Sequence, residues 1–157
     1  MRRSEREITD KNEFFEILSA CQVVRAAFSD DEYPYVVPLS FGVSKEGERP
    51  VIFFHCANEG KKVELIEKNN RVCVEADVFD GYYGEGIKIT TLYKSVIGFG
   101  KVYKCKGDER ISGLKALMEH CGYYPEDETL KTCAAFEKVA IYKIVLDSIS
   151  GKKNIHE

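Results

Sequence analysis

The stretch FFHCANEGKKVELIEKNNRVCVE, residues Phe53 to Glu75, decides how the chain is read. Its opening apolar run reads as a buried strand, part of Val51 to Cys56. A short polar loop follows, then a helix over Lys61–Lys68, a stop at Asn69-Asn70, and a second strand from Arg71 to Asp77. Lys61 and Lys62 open the helix, where the aligned peptide dipoles already place partial positive charge. An anion at that end offsets the penalty, and phosphate is the usual one. Gly60, just before the lysines, lets backbone N–H groups approach such a ligand closely. The competing reading is a solvated helix with two surface lysines.

Working outward, Asp10 with Glu13 three residues on resembles a helix start, and Phe14, Ile17, Leu18 and Cys21 then share one helical face. Gln22 to Phe28 is β-like, and Ser29 to Glu32 makes a turn. Tyr33 to Phe41 is extended but holds Pro34 and Pro38, which cannot donate to a ladder, so this strand belongs at an edge or an interruption. Ser44 to Pro50 reads as a polar turn, and Val78 to Gly86, rich in Gly, Tyr and acid, as a loop. Ser95 to Lys104 is a long strand in which Gly98 and Gly100 mark a bend. Glu109 to Cys121 is helical, a short helix is expected near Thr129 to Cys133, and Val139 to Ile149 is a closing strand. Strands this close together, without long helical crossovers, predict antiparallel pairing and a barrel.

The 157 residues suit one domain over 1–157, and no linker, repeat or low-complexity tract divides them. A net charge of −3 argues against a nucleic-acid binder with a broad basic surface. No apolar run approaches the roughly 20 residues that span a bilayer, and the charged start is unlike a signal segment. No membrane partner and a cytoplasmic location are therefore expected. The six cysteines form no C-x-x-C pair, so they read as reduced, buried thiols rather than zinc ligands or disulfides.

Six pieces in order carry a resemblance: MRRSEREIT, YPYVVPLSFG, FFHCANEGKKVELI, NNRVCVE, YKSVIGFGKV and ISGKK. Together they resemble the flavin-binding split-barrel family typified by pyridoxamine 5′-phosphate oxidase, and within it the 5-nitroimidazole resistance (Nim) branch. The resemblance implies a mainly β fold with peripheral helices, a six-stranded antiparallel split barrel of Greek-key type. It also implies an FMN cofactor, a homodimer with two flavins at its interface, and a redox role.

Carried residue by residue, the resemblance sets Gly60, Lys61 and Lys62 on one wall of the FMN phosphate, and Lys94 and Ser95 on the other. Lys94 stands where many relatives have arginine, so it keeps the charge without the bidentate fork. Val37, Pro38, Leu39 and Ser40 would line the flavin ring, with His55, Cys56 and Ala57 beside it. His55 is the candidate catalytic residue: an imidazole there could orient an acceptor or deliver a proton near neutrality. Val51 to Phe54 and Tyr82-Tyr83 are the candidate contacts of the homodimer. The segment GEGIKITTLYKSV, 84–96, departs from the Nim pattern, since it holds Ile87 and Ile89 and the chain has no tryptophan.

An FMN-dependent oxidoreductase would take electrons from a small-molecule donor such as a reduced nicotinamide. It would pass them to a small acceptor such as a nitro-aromatic compound. No Rossmann glycine fingerprint marks a stable nicotinamide site. The alternatives are a non-catalytic flavin- or haem-binding module, or an interaction protein with surface lysines. Pyridoxamine phosphate oxidation itself is disfavoured, because the basic residues which that substrate needs near the C-terminus are not recognisable.

Overall fold

The computed structural model describes residues 3–47, 49–133 and 138–156. After a single 3-10 turn, the two-residue strand β1 (Glu7–Ile8) leads to helix α1 (Lys11–Ala20). Asp10 caps α1, its carboxylate accepting from the Asn12 amide at 2.9 Å. Phe14, Ile17 and Leu18 of its inner face are buried. Next come β2 (Val24–Phe28), β3 (Tyr35–Leu39), β4 (Gly42–Glu46), β5 (Arg49–Cys56), α2 (Lys61–Lys68), β6 (Arg71–Glu85), β7 (Lys88–Lys104), α3 (Gly107–His120), α4 (Asp127–Thr132) and β8 (Ala140–Asn154).

All eight strands join one sheet in the order β3-β2-β6-β7-β8-β5-β4, with β1 added to β8, and every pairing is antiparallel. The architecture is the expected mainly β split barrel with flanking helices. Its strand count is eight rather than six among the described residues. The sheet is curved but not closed, and β3 lies at one free edge, as Pro34 and Pro38 require.

Two stretches differ from the sequence reading. Ser44 to Pro50 is not a turn throughout: Gly42–Glu46 pairs with β5 from Gly42↔Phe53 to Glu46↔Arg49. An edge strand can be polar because only one of its faces is covered. Val78 to Glu85 is not a loop but the second half of β6, and only Gly86 falls in the turn. Tyrosine-rich sequence forms strand readily. The Asp80-Gly81 irregularity is absorbed as a register shift between Phe79 and Tyr82, with Gly81 at φ +92.

Alternation along the strands sorts the core into two layers. Val24, Ala26, Phe28, Ile52, Phe54, Val74, Val96 and Ile144 fill the concave side of the sheet together with α1. Val51, Phe53 and Ile141 point the other way, into a second cluster under α3 with Leu114 and Leu117. Val51 to Phe54 are therefore core residues of their own chain, each at most 4% exposed, and they do not serve as dimer contacts. No helix among the described residues is long and apolar enough to cross a membrane.

Strand β7 bends at the predicted glycines. Its register against β8 shifts between Phe99 and Gly100, and a Cβ on Gly100 would lie 2.1 Å from the Val145 carbonyl oxygen. Gly100→Ala should therefore push β8 away and destabilise the chain by about 1–3 kcal/mol, the usual range for overpacking. A denaturation midpoint equal to that of the native chain would refute the close approach.

Candidate functional site

The loop 57–60 delivers the chain to the start of α2 with Gly60 at φ +116, a conformation that disfavours any side chain. Unlike α1, α2 has no side-chain cap, so its first N–H groups find no acceptor of that kind. Lys61 holds Asp30 of the β2–β3 turn at 2.6 Å and lies 5.0 Å from the Tyr35 ring centroid. The ion pair pulls the Asp30 carboxyl below its usual range and raises the Lys61 ammonium. Lys62 lies over the Phe54 ring at 5.3 Å, and Lys68 holds Asp31 at 2.7 Å. Two acids of one turn thus fasten α2 to the end of β2, with its glycine-led N-terminus open to solvent.

His55 is exposed and projects to the α3 side, like Phe53 and Val51 two and four residues before it. Together with Ser40 it lines a cavity of about 380 Å³ walled by Leu114, Leu117, Met118, Cys121, Tyr123 and Val139. The structure thus brings Ser40 and His55 together. Cys56 turns the other way, half-buried against the concave core, where burial raises its thiol against the lowering influence of Lys62 and Lys104. Of the predicted ring-lining strand, Leu39 is buried and Val37 packs on the core, whereas Pro38 is exposed. Val37 and Leu39 can offer a ligand only backbone groups, along the free edge of the sheet.

The second predicted phosphate wall is remote from the first within one chain. Lys61 lies beside Tyr35, whose row runs Tyr35↔Phe28↔Val72↔Gly100 across the sheet. Ser95 is five residues further along β7, roughly 17 Å away at strand rise. Lys94 and Ser95 also part company. Ser95 lies on the convex face, donating to the Lys152 carbonyl at 3.4 Å, whereas Lys94 lines a groove beside α1 with Glu13 and Glu16. The cation in register with Ser95 is Lys152. It has no ion-pair partner among the described residues, while neighbouring Lys153 is held by Glu13 at 2.7 Å. The sequence signal for Lys152 was the ISGKK piece, which names two adjacent lysines without saying which one faces Ser95.

That convex face carries apolar side chains on either side of Ser95 and Asp77. Phe99 and Ile97 sit on the barrel, and Phe79, Tyr82 and Ile89 continue the row onto the projecting end of the β6–β7 hairpin, with Ile87 at its tip. Phe79 and Tyr82 meet edge to face at 5.2 Å. An ion-paired trio, Arg25 with Glu75 and Asp77 at 2.9 and 2.7 Å, lies beside the row. Exposed apolar rows of this extent mark contact surfaces.

Residues 10–153 match the family model described as pyridoxamine 5′-phosphate oxidase. The chain belongs to that family. Its fold is similar to that of a protein assigned to 5-nitroimidazole antibiotic resistance from Bacteroides thetaiotaomicron, with a TM-score of 0.77 and 24% identity over 93% of this chain and 85% of that one. It is also similar to a FAD- and haem-binding protein from Mycobacterium smegmatis (TM-score 0.78, 15% identity, 96% and 74% covered). A third is a FAD-binding protein from Mesorhizobium loti (TM-score 0.67, 24% identity, 96% and 98% covered). No curated protein sequence matches the chain.

In this member of the family the thiols are not uniformly buried, as the sequence suggested. Cys21 and Cys105 are buried, Cys56, Cys73 and Cys133 half-buried, and Cys121 exposed at the end of α3. Burial, reinforced by Asp77 and Glu75, pushes Cys21 up to about 11; burial and Glu109 push Cys105 up to about 12. Since the thiolate is the reactive form, neither should alkylate at pH 8 in the folded chain. Peptide mass analysis after brief labelling should find Cys121 modified first and Cys21 and Cys105 last. Early labelling of Cys105 would contradict the packing of β8 on α3.

Proposed function

We propose that this chain is an FMN-dependent oxidoreductase that works as a homodimer, passing electrons to a small neutral acceptor of the nitro-aromatic class. The observation that carries it is the open, uncapped start of α2, where Gly60 at φ +116 precedes Lys61 and Lys62. Uncapped N–H groups, a positive helix end and two ammonium groups suit a phosphate monoester dianion. The flavin, when bound, supplies the redox chemistry; the chain binds, orients and shields.

Fit to that cofactor can be judged on the site itself. The phosphate loop is cationic, whereas the described lining of the Ser40–His55 cavity is apolar apart from a hydroxyl or thiol rim and one imidazole. A phosphate and an apolar ring system want these two environments in this order. His55 can donate to a ligand in the cavity and can move a proton at its imidazole nitrogen. Ser40 and the backbone of β3 can hold the polar edge of a ring.

Two observations support the homodimer. The convex face carries a row of bare apolar side chains, and Ser95 with Lys152 lies on that same face, far from Lys61 in its own chain. A two-fold contact across this face would set the apolar row against its own copy. An isologous interface of this kind needs only one self-complementary patch. The haem-containing relative in Mycobacterium smegmatis supplies the second reading, a cofactor-holding module. An absorption spectrum of the purified chain separates them: flavin bands support the first, a Soret band the second.

Two outcomes test the cofactor site. Lys61→Ala with Lys62→Ala removes charge-assisted bonds of about 1.5–3 kcal/mol each, so FMN binding should weaken by roughly 10- to 100-fold per bond. Unchanged FMN affinity in a titration would exclude the loop. For His55→Ala the expectation is retained FMN with nitro-reduction slowed by ~10²–10⁴, the range for a positioned acid or base. Turnover at the native rate would leave His55 a structural residue.

A further inference from the structure

We propose that the convex face carries an anion site of its own, a hollow of about 580 Å³ in which Arg71 and Lys101 hold the carboxylate of a small aromatic acid against the Phe99 ring. The hollow shares no lining residue with the Ser40–His55 cavity, and its ligand requires neither the flavin nor a second subunit.

Strand register puts the pieces side by side. Arg71 of β6 stands directly opposite Lys101 of β7, and in the next row on that face Cys73 pairs with Phe99 on one side and Ala27 on the other. These residues share the convex face, because Phe28, Val72 and Val102, which alternate with them, face the core. Side chains directly opposite on one face have Cβ atoms roughly 5 Å apart, so two cations there repel and lower stability. Nothing in the chain relieves this pair: neither side chain has an ion-pair partner among the described residues. Arg25, two rows along, is by contrast held by carboxylates at 2.9 and 2.7 Å. Lys101 is also half-buried, which makes an unpaired ammonium costlier than it is on open surface.

The lining selects the kind of anion. Two acids reach the hollow, Asp30 and Asp147. Asp30 is taken by Lys61 at 2.6 Å. Asp147 is the residue left over where the register slips, since Phe99 pairs with Ser148 and Gly100 with Leu146. It lies beyond ion-pair distance of both cations. Two cations against one unpaired carboxylate leave a single positive charge, which suits a monoanion, and Asp147 disfavours a second negative charge on the ligand. Arg71 presents a planar fork that matches a carboxylate, and Lys101 adds an ammonium from directly across. Beside the charge lies an apolar floor of Ala27, the Cys73 thiol and the Phe99 ring, which is 56% exposed. A flat ring can lie offset on Phe99 while its carboxylate meets the two cations.

Calorimetric titration of the full-length chain with 2-naphthoate, alongside its thermal midpoint, tests the site. The expected result is saturable one-to-one binding that raises the midpoint. Two controls, 2-naphthamide (the ring without the charge) and inorganic phosphate (the charge without the ring), should each bind at least tenfold more weakly. Lys101→Met and Arg71→Gln keep much of each stem and remove the charge, so each should weaken naphthoate by about tenfold or more. Each should also leave the ligand-free chain at least as stable as the native one, because it ends a repulsion. His55→Ala should leave naphthoate affinity unchanged. Absent binding, native affinity in both charge variants, or a loss confined to His55→Ala overturns the site, the last by placing naphthoate in the cavity under α3. Phosphate binding as tightly as naphthoate overturns the aromatic class. Destabilisation of the ligand-free chain by both charge variants overturns the reading of the pair as unrelieved. If Lys101→Met splits an oligomer that does not bind naphthoate, the two cations serve a second copy and the ligand falls. FMN affinity in the same charge variants reports separately on the loop at Lys61 and Lys62.

Discussion

The close approach of β7 to β8 at Gly100 is the constraint on which the rest of the architecture depends. β7 is paired on both sides for most of its seventeen residues, with β6 on one edge and β8 on the other. A strand of that length with full side chains would twist smoothly and could not curl over a core this narrow. At Gly98 a Cβ would press on both Leu146 methyls, and at Gly100 it would strike the β8 backbone. Without them the strand folds back, the register slips by one at Phe99, and the concave side closes on Phe54 and Ile144. Ile97 and Phe99, alternating with the inward-facing Val96 and Gly98, point outward.

Electrostatics acts locally and positions the start of α2 rather than adding much stability. The Lys61–Asp30 and Lys68–Asp31 pairs are exposed, and exposed ion pairs contribute little to folding. Their effect is positional. They tie α2 to the β2–β3 turn, so the uncapped helix start keeps a fixed relation to the free edge of β3. In the proposed reading an incoming phosphate competes with Asp30 for Lys61, while Lys62, which has no acid partner among the described residues, meets the ligand without that competition.

Much of this was legible in the sequence, for physical reasons that can be named. The helix Lys61–Lys68 was visible because Gly60 and Asn69-Asn70 punctuate it on both sides, and its boundaries agree with the structure. The edge position of β3 followed from two prolines, and the bend in β7 from two glycines. The far end of the β6–β7 hairpin was not legible, because Gly, Tyr and acid at 78–86 carry strong turn signals that cross-strand pairing overrides. Lys94 and Lys152 were beyond reach for a different reason. Which of two neighbours faces a ligand depends on the phase of the strand, and that phase is set by partners 57 residues away. Tertiary pairing, not local preference, decided both cases.

The charge state of the loop gives the proposed cofactor capture a particular pH signature. Asp30 is held below its usual range and Lys61 above its own, each chiefly by the bond between them. Both therefore stay ionised across neutrality. Neither the acid nor the ammonium can then generate a pH dependence of binding between about pH 5 and 8. The phosphate monoester can, because its second ionisation falls near pH 6. Below that value the ligand carries one charge fewer against the same two lysines and the same helix end, so affinity should fall with it. In the proposed reading the loop is a fixed electrostatic frame, and the titrating partner is the ligand.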